Sequence, residues 1–389
     1  MGKAIQSHRK QPYDGWFLFA VASLVGMGLV MVTSASLSYA EGMGLPVWYF
    51  ALRHAIYLIV GAGFCFAATA IPISVWQRLS VPMLIVSIGL LALLLIPGIS
   101  REVNGSVRWL FLGPISIQVS ECAKLALILY MAGYLIRKQE EVQTEISGFL
   151  KPMAILGVIS ILLLLEPDFG AVVVIVSTVM GMLFLGGVPF RRFLVLFALA
   201  LVALAVLSIA SPYRIQRLTS FLDPWSDQFN TGYQLTQALI AFGRGGWFGT
   251  GLGNSVQKLL YLPEPHTDFI YAVLAEELGL IGALTVLLIF ALLVWRIFAL
   301  GRRAALTGSS FSAFVAYGIG LCVGLQVIIN IGVNVGVLPT KGLTLPFMSY
   351  GGSSLIVGLF AMGLLLRIDF EAFSTSASRS LISRKPRND

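Results

Sequence analysis

The chain has 389 residues, of which 57% are hydrophobic and only 11% charged. Its mean hydropathy is +0.88, far above what a soluble domain of this length needs. The net charge of +8 has no soluble basic domain to carry it, which argues against nucleic acid as a partner.

In chain order, apolar runs recur at about 18–22 residues, the length that crosses a bilayer as helix. Ten spans are read: 16–36, 51–71, 79–97, 118–136, 150–165, 170–188, 193–210, 269–297, 311–333 and 350–367. Only Glu166-Pro167-Asp168-Phe169 separates the fifth from the sixth, which predicts a tight hairpin. The expected fold is therefore all-α, a polytopic membrane protein with one membrane domain over 16–367. A short N-terminus, 1–15, and a C-terminal tail, 368–389, flank it. The first run is of full spanning length, so it reads as a retained anchor and not a cleaved signal. Cys65, Cys122 and Cys322 all fall within spans and read as small buried hydrophobes.

Lys and Arg set the orientation. With the N-terminus in the cytoplasm, most basic residues fall on that side, and both termini are expected there. The longest connection, about 211–268 between spans seven and eight, is then extracytoplasmic, and connections of this length are usually functional. Within it, YQLTQALIAF (233–242) reads as a short amphipathic helix, and the glycines of 243–253 break it.

Three features of the outer side invite a chemical reading. Asp268 closes the long loop at the mouth of the eighth span, with His266 two residues earlier. An aspartate there is either a helix N-cap or a catalytic group, and the residues alone weigh the two equally. Lys341 sits among Gly, Pro and Ser between the last two apolar runs. Ser349, Gly351, Gly352 and Ser353 open the tenth span, whose N-terminal amides suit an anion. The bland alternative is close helix packing by the glycines and a snorkelling lysine. Finally, Glu121 and Lys124 share one helix face at the depth of Asp168. Charges at that depth are costly unless paired or facing a wet cavity. A structural ion network and substrate contact are equally good readings of these three.

The segment NIGVNVGVLPTKGLTLPFMSYGGSS, 330–354, closely resembles the signature of the SEDS family (shape, elongation, division and sporulation), in the wording of its cell-division branch. The resemblance extends to DPWSDQFNTGYQLTQALIAFGRGGWFGTGLGNSVQKLLYLPEPHTDFIYAVLAEELG at 223–279, to NGSVRWLFLGPISIQVSECAK at 104–124 and to EPDFG at 166–170. One departure is Val119, where the family commonly has Pro, which weakens the helix-start signal at Gln118.

The resemblance implies a glycosyltransferase that polymerises lipid II into glycan strands at the division septum of the bacterial cytoplasmic membrane. It implies that Asp268 is catalytic, as the base toward an attacking sugar hydroxyl. The departing lipid diphosphate calls for positive charge. Lys341 is the first candidate, followed by Arg244, Lys258 and Arg108, with His266 also near the reaction. A divalent cation, Mg²⁺ or Mn²⁺, is implied, with Asp268 as a ligand beside Glu264 or Asp223; no organic cofactor is expected. The implied partners are a class B penicillin-binding protein, which is the septal transpeptidase, and other divisome membrane proteins. Two rivals from other classes are a flippase for the lipid-linked precursor and a non-catalytic scaffold. The outer placement of the ionic residues disfavours the first, and a scaffold has no need of Asp268 or Lys341.

Overall fold

The computed structural model describes residues 12–98, 100–103, 106–112, 115–209, 220–339 and 342–383. Every apolar run lies in a helix: α1 Gly15–Gly42, α2 Tyr49–Ala70, α3 Ile73–Leu94, α4 Val119–Arg137, α6 Ser147–Leu165, α7 Phe169–Leu185, α8 Phe190–Ile209, α10 Ile270–Leu306, α11 Ser310–Asn334 and α12 Gly352–Ser383. Two helices lie in connections, α5 Gln139–Thr144 and α9 Tyr233–Gly245. Among the described residues, eight helices are long and apolar enough to cross a membrane, and α7 is a shorter apolar helix. α12 continues well past Arg367, so the start of the expected tail is helical.

Among the described residues, the strands form one small antiparallel sheet, β1 Arg101–Val103, β2 Ser106–Leu112 and β3 Ile115–Gln118, paired in that order. Trp109 pairs with Gln118, so the sheet delivers the chain directly into α4. Pro is not needed there. Gln118 provides no side-chain cap, but its amide donates to Ser353 Oγ at 2.8 Å, so the neighbouring α12 fixes the helix start.

α4 is buried on nearly every side and packs against α3, α7, α11 and α12. An apolar helix buried all round belongs at the centre, and its two buried charges, Glu121 and Lys124, therefore need internal partners. α10 packs on α1, α9 and α11, and α2 lies along α12. At the end of the bundle remote from Asp268, Asp14 caps α1 through the amides of Trp16 and Phe17. Arg303 bridges Asp14 (2.8 Å) and Asp369 (3.3 Å), and Arg296 also reaches Asp14. This cluster ties α1, α10 and α12 together.

Two interruptions shape the other end. The sequence reads 269–297 as one continuous span, but α10 breaks at Gly279, whose φ is 69°. The glycine-rich stretch after α9 fills the break. Thr250 and Gly251 donate their amides to Glu276 O (2.9 Å) and Glu277 O (3.0 Å), while Leu280 and Ile281 donate to Gly246 O (2.9 Å) and Trp247 O (3.2 Å). A Cβ on Gly249 would lie 2.1 Å from Glu277 O, so only glycine admits this approach. The second interruption is the segment after α11. Leu343, Leu345, Phe347 and Met348 are buried, and Phe347 O would meet a Cβ on Gly28, midway along α1, at 2.4 Å. Irregular backbone at that depth is tolerated where protein surrounds it.

Candidate active site

Asp268 stands just before α10, against the second of these interruptions. Its carbonyl accepts hydrogen bonds from Asn330 Nδ2 and Asn334 Nδ2, both at 3.0 Å. Its Oδ2 would lie 3.1 Å from a Cβ on Gly342, so the carboxylate faces the main chain of the 342–345 segment. Asp268 is half-buried. Helix α10 begins two residues later, and its N-terminal residue Phe269 makes no side-chain cap bond. The first-turn amide of Ala272 is answered by Asn334 Oδ1 at 3.1 Å. That capping function therefore falls to a neighbouring helix.

The turn that delivers Asp268 is strained and self-bonded. Glu264 has φ 52°, and its Oε2 accepts from Thr267 Oγ1 at 2.8 Å. His266 is buried, with its ring against Tyr39 (4.7 Å), Phe50 (4.8 Å) and Tyr350 (5.5 Å). Tyr350 donates its amide to His266 O at 2.8 Å. Burial pushes the imidazole down to about 4, so His266 is neutral and a poor base at neutral pH. It is packed as a wedge between α1, α2 and the 342–351 segment, not displayed to a substrate.

The basic candidates divide. Lys258 is buried, with its ammonium on Glu277 Oε1 (2.7 Å), Ser34 Oγ (2.9 Å) and Gly253 O (2.6 Å). It is a fastener for the loop and the α10 break, which corrects its reading as a diphosphate ligand. Arg244 is half-exposed and lies 3.0 Å from buried Glu276. Arg108 donates to Pro167 O and lies 3.8 Å from Asp168 Oδ1. Lys341 lies outside the described residues.

The small residues that open α12 are also occupied. Ser349 Oγ accepts from Leu345 N (2.8 Å), and Ser353 Oγ accepts from Gln118 N while donating to Ser116 O (3.1 Å). Gly352 packs on the Tyr57 ring and Gly351 on Thr344. These residues lock the re-entrant segment to α4, α2 and β3.

Glu121 and Lys124 pair at 2.8 Å, both buried. The cavity beside Lys124 is about 10 Å³, room for one water at most, so the pair is held by protein on the side facing Thr178 and Cys322. Asp168 caps α7 through Ala171 N (3.2 Å) and accepts from Ser120 Oγ (3.0 Å). The same hairpin approaches Asp268 indirectly. Gly170 packs on Leu343, and Leu343 O accepts from Asn330 Nδ2 at 2.6 Å.

Sequence reasoning gave no role to Asn330 or Asn334. The available signal was their i, i+4 spacing on the last turns of an apolar helix, where two buried amides need partners.

For a divalent cation, no cluster of three or more His, Cys, Asp or Glu side chains exists among the described residues. Glu264 is tied to Thr267, and Asp223 accepts the amide of Ser226 in its own turn. Mg²⁺ is commonly held by one or two carboxylates together with substrate phosphates. The donor set therefore fits an ion arriving with a diphosphate at Asp268, and not a resident ion in a protein cage.

Known proteins place this architecture. A curated relative from Coxiella burnetii, named a probable peptidoglycan glycosyltransferase FtsW, is 57% identical over 360 residues, covering 92% of this chain and 96% of its own. A relative of the same name from Legionella pneumophila is 55% identical, covering 92% and 91%. Among solved structures, a chain from a peptidoglycan synthase complex that coordinates polymerization and crosslinking superposes with TM-score 0.76 at 33% identity, covering 92% of this chain and 98% of that one. The rod shape determining protein RodA of Thermus thermophilus gives TM-score 0.67 at 30% identity, covering 92% and 96%. The family model of the FtsW/RodA/SpoVE cell cycle proteins matches residues 15–373, and the chain belongs to that family, the SEDS family.

Proposed function

We propose that the protein is a peptidoglycan glycosyltransferase that polymerises lipid II during septal wall synthesis, with Asp268 as its general base. One observation carries the reading: the Asp268 carboxylate lies against Gly342, where the two stretches that carry the family signature converge. In the reaction, a sugar hydroxyl of one substrate attacks the anomeric carbon of another. The new glycosidic C–O bond forms as the bond to the lipid diphosphate breaks. Asp268 takes the hydroxyl proton, and undecaprenyl diphosphate leaves with the bonding pair.

The protein's own groups serve this in distinct ways. Glu264 and Thr267 shape the turn that presents Asp268. Lys341, next to Gly342, and half-exposed Arg244 are the cations proposed to meet the diphosphate. A divalent ion, when bound, would add positive charge on the phosphate oxygens, with Asp268 its one protein carboxylate. The multi-pass body is proposed to sit in the bacterial cytoplasmic membrane with both termini inside and the Asp268 end outside. The likeness to a synthase-complex chain supports a class B penicillin-binding protein as partner, with other divisome proteins around the pair.

The test is polymerisation of lipid II by purified protein with its cognate transpeptidase and Mg²⁺ or Mn²⁺, beside Asp268→Ala. Polymer from the wild type alone supports the assignment. Polymer from both keeps the enzyme and removes Asp268 as base. Polymer from neither, with folded protein, points to the flippase reading and to a transbilayer assay in vesicles.

A further inference from the structure

The two asparagines at the end of α11 do more than fill space. Asn330 and Asn334 are both buried and lie one helical turn apart, so their amides share a face. Asn330 Nδ2 donates to two carbonyls on two different segments: Asp268 O at 3.0 Å and Leu343 O at 2.6 Å. Asn334 Nδ2 donates to Asp268 O at 3.0 Å and to Asn330 O at 2.9 Å. Asn334 Oδ1 at the same time accepts the Ala272 amide at 3.1 Å. The pair thus joins three pieces of chain: the turn ending at Asp268, the first turn of α10 and the re-entrant segment at Leu343.

The side-chain chemistry is specific. A primary amide offers two N–H donors and one acceptor on a rigid plane, and each is needed here. Asp keeps the shape but loses the donors and turns a carboxylate toward carbonyl oxygens. Leu keeps the volume and leaves buried main-chain carbonyls without these donors, which is costly. The Leu343 bond matters most for geometry, because residue 342 is its neighbour and the Asp268 Oδ2 sits 3.1 Å from where a Cβ at Gly342 would be. Asn330 holds 268 and 343 at a fixed separation, and that separation sets how the carboxylate meets the Gly342 main chain.

We propose that Asn330 and Asn334 are positioning residues for Asp268, holding its carboxylate in register with the 342–345 segment. This rests on the reading of Asp268 as the catalytic base. The pair touches neither reacting atom. It acts through the main chain, so it sets the turnover of bound substrate and not the affinity for it.

The experiment measures kcat, KM for lipid II and thermal unfolding of the full-length protein with its transpeptidase. The variants are Asn330→Asp, Asn334→Asp and Gly342→Ala, with Asp268→Asn alongside. A displacement of the base of about 1 Å costs on the order of 100-fold in rate. The expected result is a fall in kcat of roughly 10- to 100-fold for each of the three, with KM within about twofold; Gly342→Ala leaves the melting temperature unchanged, while the asparagine variants, which strand buried carbonyls, lower it. Unchanged kcat in the folded asparagine variants overturns the proposal. So does a raised KM in both asparagine variants, or a loss of kcat that only matches the fraction unfolded at the assay temperature, because that is the signature of fold maintenance. Gly342→Ala separates the cases, since it disturbs the carboxylate contact and leaves both amides intact. If it keeps wild-type turnover, the register it probes is not what limits catalysis, and the proposal fails. If Asp268→Asn itself retains turnover, the base assignment falls, whatever the asparagine variants do.

Discussion

Asp268 and the pair Glu276–Glu277 lie close together in sequence, at the same end of the bundle, and differ in burial and in how their main chains are held. Glu276 and Glu277 are 0% exposed, and it is their carboxylates that are bound. Glu276 takes Ser255 Oγ, the amides of Val256 and Gln257, and Arg244; Glu277 takes Ser34 Oγ and Lys258. At Asp268 the asparagines grip the main-chain carbonyl, and the residue stays half-buried. A carboxylate used as a fastener has its oxygens committed to the scaffold. Asp268 is in addition anchored through its main-chain carbonyl, which neither glutamate needs to carry its fastening bonds.

The sharpest way to break this comparison is to remove each acid. Asp268→Asn is expected to lower kcat by about 10²–10⁴, the usual range for a general base, with little change in melting temperature. Glu277→Ala should do the reverse. It strands the Lys258 ammonium in a buried site, and breaking such a pair costs about 3–5 kcal/mol, read as a large drop in melting temperature. Replacing both, Lys258→Met with Glu277→Leu, should recover much of that loss, because no uncompensated charge remains. A folded but inactive Glu277→Ala would show that the fastener also has a chemical role.

A milder perturbation tests the break that the two glutamates secure. Gly249→Ala places a methyl carbon 2.1 Å from Glu277 O, in a residue whose φ is 81°. The loop must withdraw from the gap at Gly279, and the bonds from Thr250 and Gly251 go with it. The expected outcome is faster amide exchange at 250, 251, 280 and 281 and a smaller fall in melting temperature than for Glu277→Ala. Unchanged exchange there would show that the helix holds its break without the plug.

Much of this was legible beforehand, for identifiable reasons. Apolar runs of spanning length impose helices whatever their detail, so all the runs fall on helices. The amphipathic 233–242 stretch became α9 because its two faces have different neighbours. What stayed hidden depends on long-range pairing. The break at Gly279 needs a plug about 30 residues earlier in the chain, and a lone glycine in an apolar run does not announce it. Lys258 looked like a surface cation because nothing near it in sequence reveals Ser34 as a partner. The sheet before α4 stayed hidden because its strands are short and pair only with one another.

Glu166 supplies the third case that completes the comparison, a buried carboxylate that is neither fastener nor reagent. It is 0% exposed, and neither of its oxygens has a hydrogen-bond partner. Burial, reinforced by Asp168 and only partly offset by Arg108, pushes its carboxyl up to about 8. The folded protein therefore holds a proton there that the unfolded chain releases near 4.5. Between those two values the native state binds more protons than the unfolded state, so stability falls as pH rises. Below the lower value the contribution is fully present; above about 8 it is lost. The melting temperature in detergent should decline from about pH 5 to about pH 8, and Glu166→Gln, neutral throughout, should flatten that decline. His266 has the opposite sign, since its depressed value of about 4 removes stability only as pH falls below the ordinary imidazole range. An equal slope in wild type and Glu166→Gln would mean that the carboxyl already has a partner to stabilise its charge, and would place it with Glu276 and Glu277 among the fasteners.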